Sequence, residues 1–244
     1  MKWISLLLAV APVAAFSTAA LSPFETDVFP GSKGQIKITF IGHGTLLIEF
    51  AGKVIHVDPV SAYADYQTLA KADVILITHE HGDHLDPSAV QMIRRPNTQI
   101  VYSGRCAEIM PGGIVMMNGE EKIVAGIPVA AVAAYNLVHK RKDGTPFHPR
   151  GVGNGYVLTL GDKRIYIAGD TEYIPEMNAL KNIDIAFLPM NLPYTMTPAM
   201  TAEAARAIKP RILYPYHTGD TDVGALKNLL KDDKEIELRI RKLN

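Results

Sequence analysis

The order of the predicted secondary-structure elements indicates an α/β sandwich, in which two sheets pack face to face with helices outside. Strand-like runs come first as a β-meander, and strands then alternate with helices. The same order returns in the second half of the chain, which favours two sheets over one parallel sheet. The chain has 244 residues and is 48% apolar, which is enough for one large domain with its own core. We therefore expect a single domain over residues 21–244.

The first 20 residues have the pattern of a signal peptide and are left out of the fold. Lys2 is a short basic region, residues 4–16 are apolar, and residues 17–20 offer small side chains for cleavage. The apolar run is short and is soon followed by Glu25 and Asp27, which argues against a membrane span. We expect a signal peptide over residues 1–20, export to the periplasm or the medium, and no stable membrane insertion after cleavage. An uncleaved N-terminal anchor is the alternative.

In the first half, short apolar runs separated by glycine, proline and polar turn residues predict strands. After a polar lead over residues 21–34, these strands are expected at residues 35–41, 45–50, 54–57, 74–77 and 99–102. Helices are expected at residues 63–72, 87–95 and 105–110. Asp86 and Pro87 supply an N-cap and a first helical residue for the second of them, and Pro96 ends it.

The second half is predicted in the same way. Strands are expected at residues 114–117, 122–124, 127–134, 156–160, 164–168, 183–189, 212–216 and 235–240. A helical turn is expected at residues 177–180, and helices at residues 201–208 and 223–231, with Pro210 ending the first of these two. Residues 136–154 form a polar loop between two strands.

Charge and cysteine content exclude several classes of function. Lys plus Arg equals Asp plus Glu at 25 each, so the basic footprint expected of a nucleic-acid-binding protein is missing. Cys106 is the only cysteine in the sequence. An intrachain disulfide and a four-cysteine structural zinc site are therefore both excluded.

The densest group of candidate ligands follows the buried strand expected at residues 74–77. His79, His81, Asp83 and His84 lie within six residues. Neutral imidazoles with one carboxylate suit zinc, iron or manganese. A run of ordinary surface residues is a poor explanation, because three of the eight histidines would have to coincide at the end of one strand. The cluster therefore predicts a metal site.

Three more predicted strands end in residues of metal-ligand type. Asp58, Asp170 and His217 each follow an apolar run, as the histidine cluster does. Because open α/β sheets bind ligands at the carboxyl ends of their strands, we expect these four strand ends to converge on one sheet edge.

The pattern His79-x-His81-x-Asp83-His84, followed by Gly169-Asp170-Thr171 and then His217, closely resembles the metallo-β-lactamase superfamily. The resemblance runs from the turn at residues 42–45 to His217 and implies an αββα sandwich carrying one or two metal ions. Residues 38–49, 56–59 and 168–171 look like the branch that includes ascorbate-lactone hydrolases and the phospholipase D acting on N-acyl phosphatidylethanolamines.

Position by position, the resemblance implies a dinuclear site. His79 and His81 would bind the first ion. The second ion would be bound by Asp83, His84 and His217. Asp170 would bridge both ions, and Asp58 would orient a ligand imidazole. The implied cofactors are two divalent ions, Zn²⁺ first, with Mn²⁺ and Fe²⁺ as alternatives.

The third histidine of the first site is the open assignment. Members of this family normally place it after the strand that here ends at Tyr135, where this chain has Asn136. His139 and His148 are the candidates. We favour His148, because the glycine-rich residues 151–155 could let its loop fold back over the metals. His43, in a glycine turn, is either a proton donor near the substrate or only a turn residue.

The predicted function is that of an exported metal-dependent hydrolase with a small-molecule substrate. Two ions sharing a hydroxide would cleave an ester, lactone, amide or phosphodiester bond, with Asp83 orienting the nucleophile. Residues 135–154 and 191–200 would form the pocket walls; the first is basic and could attract an anionic group, and the second could contact an acyl chain or ring. The alternatives are a non-enzymatic metal-binding protein of the same fold and a redox enzyme. The redox reading is disfavoured because the oxygen-reducing branch typically has Glu where this chain has His81.

Overall fold

The computed structural model describes residues 23–243, which form two seven-stranded sheets packed face to face. Helices cover both outer faces, so the architecture is the predicted αββα sandwich in one domain. The signal peptide expected over residues 1–20 lies outside the described residues.

The first sheet holds its strands in chain order. They are β1 Thr26–Phe29, β2 Ile36–Gly42, β3 Thr45–Phe50, β4 Lys53–Val57, β5 Val74–Leu76, β6 Gln99–Tyr102 and β7 Ile114–Val115. Strands β1 to β4 pair antiparallel, and β4 to β7 pair parallel. The switch occurs because hairpin turns join the first four strands, whereas longer crossover segments join the others.

The second sheet repeats this pattern. Its strands are β8 Glu121–Val124, β9 Ile127–Ala134, β10 Gly153–Leu160, β11 Lys163–Ile167, β12 Ile185–Pro189, β13 Ile212–Tyr216 and β14 Glu237–Leu238. Strands β8 to β11 pair antiparallel, and β11 to β14 pair parallel. Each sheet therefore has a meander half and a parallel half, as the order of the predicted elements indicated.

Helices α1 Pro87–Ile93 and α2 Gly104–Ile109 lie on the outer face of the first sheet. Helices α3 Pro198–Ile208 and α4 Val223–Leu229, with the 3₁₀ helix Pro175–Ala179, lie on the outer face of the second. Asp86 caps α1 by accepting from the Ser88 N–H, and Thr197 caps α3 by accepting from the Met200 N–H. No helix within residues 23–243 has the length and apolar character needed to cross a membrane.

The main core lies between the sheets and is filled by inward-facing side chains of both. Phe40 of the first sheet meets Tyr214 and Phe187 of the second, with ring centroids 5.0 and 6.2 Å apart. These residues are almost fully buried. Burial of apolar area on this scale is the main force holding the two sheets together.

Three expectations for individual elements are wrong. Residues 63–72 form turns rather than a helix. The Gln67 N–H donates to the Asp65 side chain and the Thr68 hydroxyl donates to the Asp65 carbonyl, while the buried Tyr66 hydroxyl accepts from the Val60 N–H. The polar lead contains strand β1. Strand β10 begins at Gly153, so part of the glycine-rich segment belongs to the sheet and not to a flexible loop.

One side of the sandwich carries a partly buried charge cluster around Asp27 of β1. Arg241 donates two hydrogen bonds of 2.8 Å to its carboxylate, and the Tyr214 hydroxyl of β13 donates another. Burial alone would raise the pKa of Asp27, but these hydrogen bonds hold it below its ordinary value. The edge strand of one sheet is thereby bonded to the other sheet.

We expect Asp27→Asn to lower the free energy of unfolding by about 2 kcal/mol at pH 7, because charge-assisted hydrogen bonds are lost. The folded-state pKa lies below the unfolded value of about 3.9, so this stabilisation is present above that value and lost as the pH falls through the folded pKa. Urea denaturation at pH 7 and pH 3 measures it. Glu49→Gln breaks the exposed pair with Lys37 and is the control, with an expected loss of at most about 1 kcal/mol. Equal losses for the two variants at pH 7 would contradict the prediction.

Candidate metal centre

Four strand ends supply the site, two from each sheet. In the first sheet, β4 and β5 are parallel neighbours that lead to Asp58 and to the segment beginning at His79. In the second, β11 and β13 flank β12 and lead to Asp170 and His217. The site therefore lies at one end of the sandwich, between the two sheets, rather than at the edge of a single sheet as the sequence analysis expected.

The first histidine cluster consists of His79, His81 and His148, whose nearest ring nitrogens all lie within 4.8 Å of one another. The Nε2 atom of His79 is 3.0 Å from the Nδ1 atom of His81. His148 reaches the cluster from the loop before β10, and its ring centroid is 5.0 Å from that of His81. The structure thus brings together the three residues that the sequence analysis assigned to the first ion.

The second cluster consists of His43, Asp83, His84 and His217, again with ligand atoms within 4.8 Å of one another. The Asp83 carboxylate lies 3.1 Å from His43 Nε2, 3.5 Å from His217 Nε2 and 3.8 Å from His84 Nε2. The sequence analysis considered His43 a proton donor near the substrate or only a turn residue, and the structure places it beside the residues predicted for the second ion.

Asp170 lies between the two clusters. One of its carboxylate oxygens is 3.2 Å from His148 Nε2 and 3.8 Å from His79 Nε2, which belong to the first cluster. The same oxygen is 3.4 Å from His217 Nε2, and the other oxygen is 3.4 Å from His84 Nε2. The carboxylate therefore faces both clusters, as the predicted bridging role would need.

Several polar atoms of the site are buried without a hydrogen bond. They are the Nε2 atoms of His84, His148 and His217 and the Oδ1 atom of Asp170. Buried polar atoms that lack a partner are costly, and they are rare in native proteins. Imidazole nitrogens and a carboxylate oxygen directed at one another are also a favourable ligand set for a divalent cation. The residues therefore fit divalent metal ions.

Asp58 and Thr78 orient two of the imidazoles. The fully buried Asp58 carboxylate accepts from the Thr78 N–H and Oγ1, both at 2.7 Å, and from His84 Nδ1 at 2.8 Å. The Thr78 hydroxyl also lies 3.0 Å from His79 Nδ1. Because Nδ1 of each ring is bonded here, Nε2 of each ring faces its cluster, where it could bind a metal. Thr78 carried no recognisable signal in the sequence, since a threonine ending an apolar strand is common.

Asn136 orients the imidazole of His148 in the same way. Its Oδ1 accepts from the His148 N–H at 2.9 Å and from His148 Nδ1 at 2.7 Å. Its Nδ2 donates to Glu172 Oε1 at 3.1 Å and to the Tyr194 carbonyl at 2.9 Å. The residue that stands where this family often has a histidine therefore fixes the ring that reaches the cluster.

Glu172 anchors the loop that contains Asn136, and the sequence analysis did not single it out. Its buried carboxylate accepts from the N–H groups of Leu137, Val138 and His139 at 2.8, 2.7 and 2.6 Å. Burial would raise the pKa of Glu172, but these bonds and the Asn136 amide hold it below the ordinary value. His139 Nδ1 lies 2.8 Å from Glu172 Oε1, so His139 is directed at this carboxylate and lies outside both clusters.

The backbone is unusual where it approaches the site. His43, Asp58 and His217 have positive φ angles of 52°, 44° and 48°, a conformation that non-glycine residues rarely adopt. The His217 N–H donates to the His43 carbonyl at 3.0 Å. A Cβ atom on Gly44 would lie 2.9 Å from His84 Cε1, so only glycine fits there without displacing a ring.

Burial and the neighbouring charges shift the pKa values of His79, Asp170 and His84 in different directions. Burial, and then the neighbouring His84, lower the pKa of His79 well below its ordinary value. Burial would raise the pKa of Asp170, but the imidazoles around it hold it well below its usual range. For His84, burial lowers the pKa while the carboxylates of Asp170, Asp58 and Asp83 raise it, and the result is about 9. A cation bound there would replace the proton of His84.

The family model of the beta-lactamase superfamily domain matches residues 37–217. A UPF0173 metal-dependent hydrolase from Thermococcus onnurineus is 33% identical over 223 residues, which cover 83% of this chain and 95% of that protein.

Among solved structures, a protein from Parabacteroides distasonis described as a metal-dependent hydrolase is 50% identical, with a TM-score of 0.86, over 91% of this chain and 100% of that one. The metallo-hydrolase Igni18 from Ignicoccus hospitalis has a TM-score of 0.70 at 23% identity, over 86% of this chain and 96% of that one, and supports the fold alone. The family match covers most of the chain and includes all seven residues of the two clusters and Asp170. The chain therefore belongs to the metallo-β-lactamase superfamily.

Proposed function

We propose that the protein is an exported metal-dependent hydrolase with a dinuclear centre and a small-molecule substrate. The observation that carries the proposal is the buried Asp170 carboxylate, which lies between two clusters of histidines. The relatives that are named metal-dependent hydrolases support the reaction class. The pattern of residues 1–20 supports export.

His79, His81 and His148 would hold the first ion, and Asp83, His84 and His217 the second, with Asp170 shared. Zn²⁺ is the proposed metal because of its preference for nitrogen and carboxylate ligands; Mn²⁺ and Fe²⁺ fit the same set. Two bound ions would lower the pKa of a water molecule towards 7 and polarise the carbonyl or phosphoryl group that it attacks.

Asp83 and His43 form the proposed proton-transfer pair. The Asp83 side chain is 44% exposed, whereas those of the other carboxylates at the site, Asp58 and Asp170, are 0% and 4% exposed. Its carboxylate lies 3.1 Å from His43 Nε2. Asp83 can therefore orient an attacking water, and His43 can pass a proton to the leaving group.

The bond type is proposed as an ester, lactone, amide or phosphodiester, since one centre of this kind serves all four and the loops select among them. The test is turnover by metal-replete protein of p-nitrophenyl acetate, a γ-lactone, an anilide and bis-p-nitrophenyl phosphate, each with and without chelator. Chelator-sensitive turnover of one class supports the proposal. Stoichiometric metal without turnover of any class would favour the non-enzymatic metal-binding alternative.

We expect His81→Ala to abolish turnover and to lower the metal content while leaving the fold intact, because one ring nitrogen of the first cluster is lost. Elemental analysis and circular dichroism measure these effects. His139→Ala is the matched control, since His139 lies outside both clusters. Unchanged metal content in His81→Ala would contradict the assignment.

We expect Asn136→Ala to weaken binding of the first ion by about 10- to 100-fold, because the acceptor that holds His148 Nδ1 is removed. Competition with a chromogenic chelator measures the affinity of each site, and thermal denaturation reports on any loss of stability. His139→Ala again serves as the control for disturbance of the loop. An affinity equal to that of the native chain would show that Asn136 does not position this ligand.

We expect metal affinity to rise with pH between about 6 and 9. Without a metal, burial lowers the pKa of His84, but the neighbouring carboxylates raise it to about 9. Below that pH a metal must therefore displace the proton of His84. Release of one proton corresponds to about a tenfold gain in affinity per pH unit. Chelator competition at several pH values, with proton release followed by an indicator dye, measures the slope. An affinity that does not change over this range would contradict the prediction.

A further inference from the structure

Two loops beside the metal centre expose apolar side chains to solvent. On residues 136–148, Leu137 is 47% and Val138 63% exposed. On residues 191–196, Leu192 is 43% and Tyr194 46% exposed. We call these four residues together with Phe147 the apolar mouth. Exposed apolar groups that cluster, rather than occur singly, mark binding surfaces.

The two loops form one surface because they are bonded to each other. The Asn136 amide donates to the Tyr194 carbonyl at 2.9 Å, and His139 Nδ1 lies 3.0 Å from the Thr195 carbonyl. The Phe147 ring packs edge-on against that of Tyr194, with centroids 5.0 Å apart. The Glu172 carboxylate accepts from the backbone N–H groups of Leu137 and Val138 and so holds these two residues in place.

Phe147 links the apolar mouth to the metal centre. Phe147 lines the cavity beside the first cluster together with His79, His81 and Asp170. The next residue, His148, belongs to that cluster. A substrate group extending from the metals past Phe147 would therefore meet the exposed side chains.

We propose that the apolar mouth binds a saturated alkyl or acyl chain of the substrate, with the cleaved bond held at the metal centre. The inference rests on the proposed function, since it names the substrate class of the same site. An alkyl chain fits because Leu137, Val138 and Leu192 are aliphatic and Phe147 lies beside the first cluster. Burying a methylene group completely is worth about a fourfold gain in affinity, so a half-covered chain should gain about twofold per methylene.

The probe is a series of straight-chain alkylphosphonates, from ethyl to octyl, added to metal-replete protein. The phosphonate oxygens are ligands for the ions, and the chain length is the only variable. Isothermal titration calorimetry gives the dissociation constant of each, without any need for turnover. We expect it to fall about twofold for each added methylene.

The double variant Leu137→Ser with Val138→Ser should lose most of this dependence on chain length. Both side chains are exposed and the backbone bonds to Glu172 remain, so the fold and the metal content should not change. Ile123→Ser is the matched control, because Ile123 is 70% exposed on β8, away from the apolar mouth, and should leave the dependence unchanged.

A flat series with the native chain, or an equal slope in the double variant, would overturn the inference. If the series is flat and the native chain also binds vesicles of phosphatidylcholine and phosphatidylglycerol, and the double variant does not, the surface contacts membranes instead of a substrate chain. Lys140, Arg141 and Lys142 would then aid that contact. A flat series beside chelator-sensitive turnover would leave the hydrolase proposal standing. A steep series without turnover of any substrate would support the apolar mouth and count against hydrolysis.

Discussion

The buried carboxylate of Asp170, surrounded by imidazoles from both clusters, is the constraint on which the rest of the structure depends. The Asp170 side chain is only 4% exposed. Burying a charged group costs free energy unless opposite charge or hydrogen bonds compensate it. Here four imidazoles lie within 3.8 Å of the carboxylate, and the Nε2 atoms of three of them have no hydrogen-bond partner, which fits a site for cations. Segments far apart in the chain must therefore meet at this point with little freedom.

The sandwich makes this meeting possible because each sheet has a parallel half. Parallel strands deliver their carboxyl ends to one side of a sheet, and packing two such halves face to face brings the ends together. Bringing these ends together strains the backbone locally, as the positive φ angles of His43, Asp58 and His217 show. This strain is offset by burial of the large apolar core between the sheets and by hydrogen bonds such as those that Asp58 accepts from Thr78 and His84.

The loop of residues 136–150 shows how one buried carboxylate links the metal centre to the surface. Glu172 holds three consecutive N–H groups and the Asn136 amide, and Asn136 in turn holds His148. The same bonds direct Leu137 and Val138 outwards. A ligand of the first cluster and a wall of the pocket are therefore fixed by one support, so changes in this loop can alter both metal binding and substrate choice.

The sequence by itself determined the sandwich class, most strands, and the histidine and aspartate residues at the strand ends, because these depend on local pattern and on spacing along the chain. It did not determine strand β1, the turns at residues 63–72, or the roles of Thr78 and Glu172. Only the tertiary structure decided that the site lies between two sheets, and that His148 and not His139 lies in the first cluster. The physical reason is that each of these features depends on contacts between distant segments: β1 exists through pairing with β2, and His148 is oriented by Asn136, which is itself held by Glu172 and the Tyr194 carbonyl.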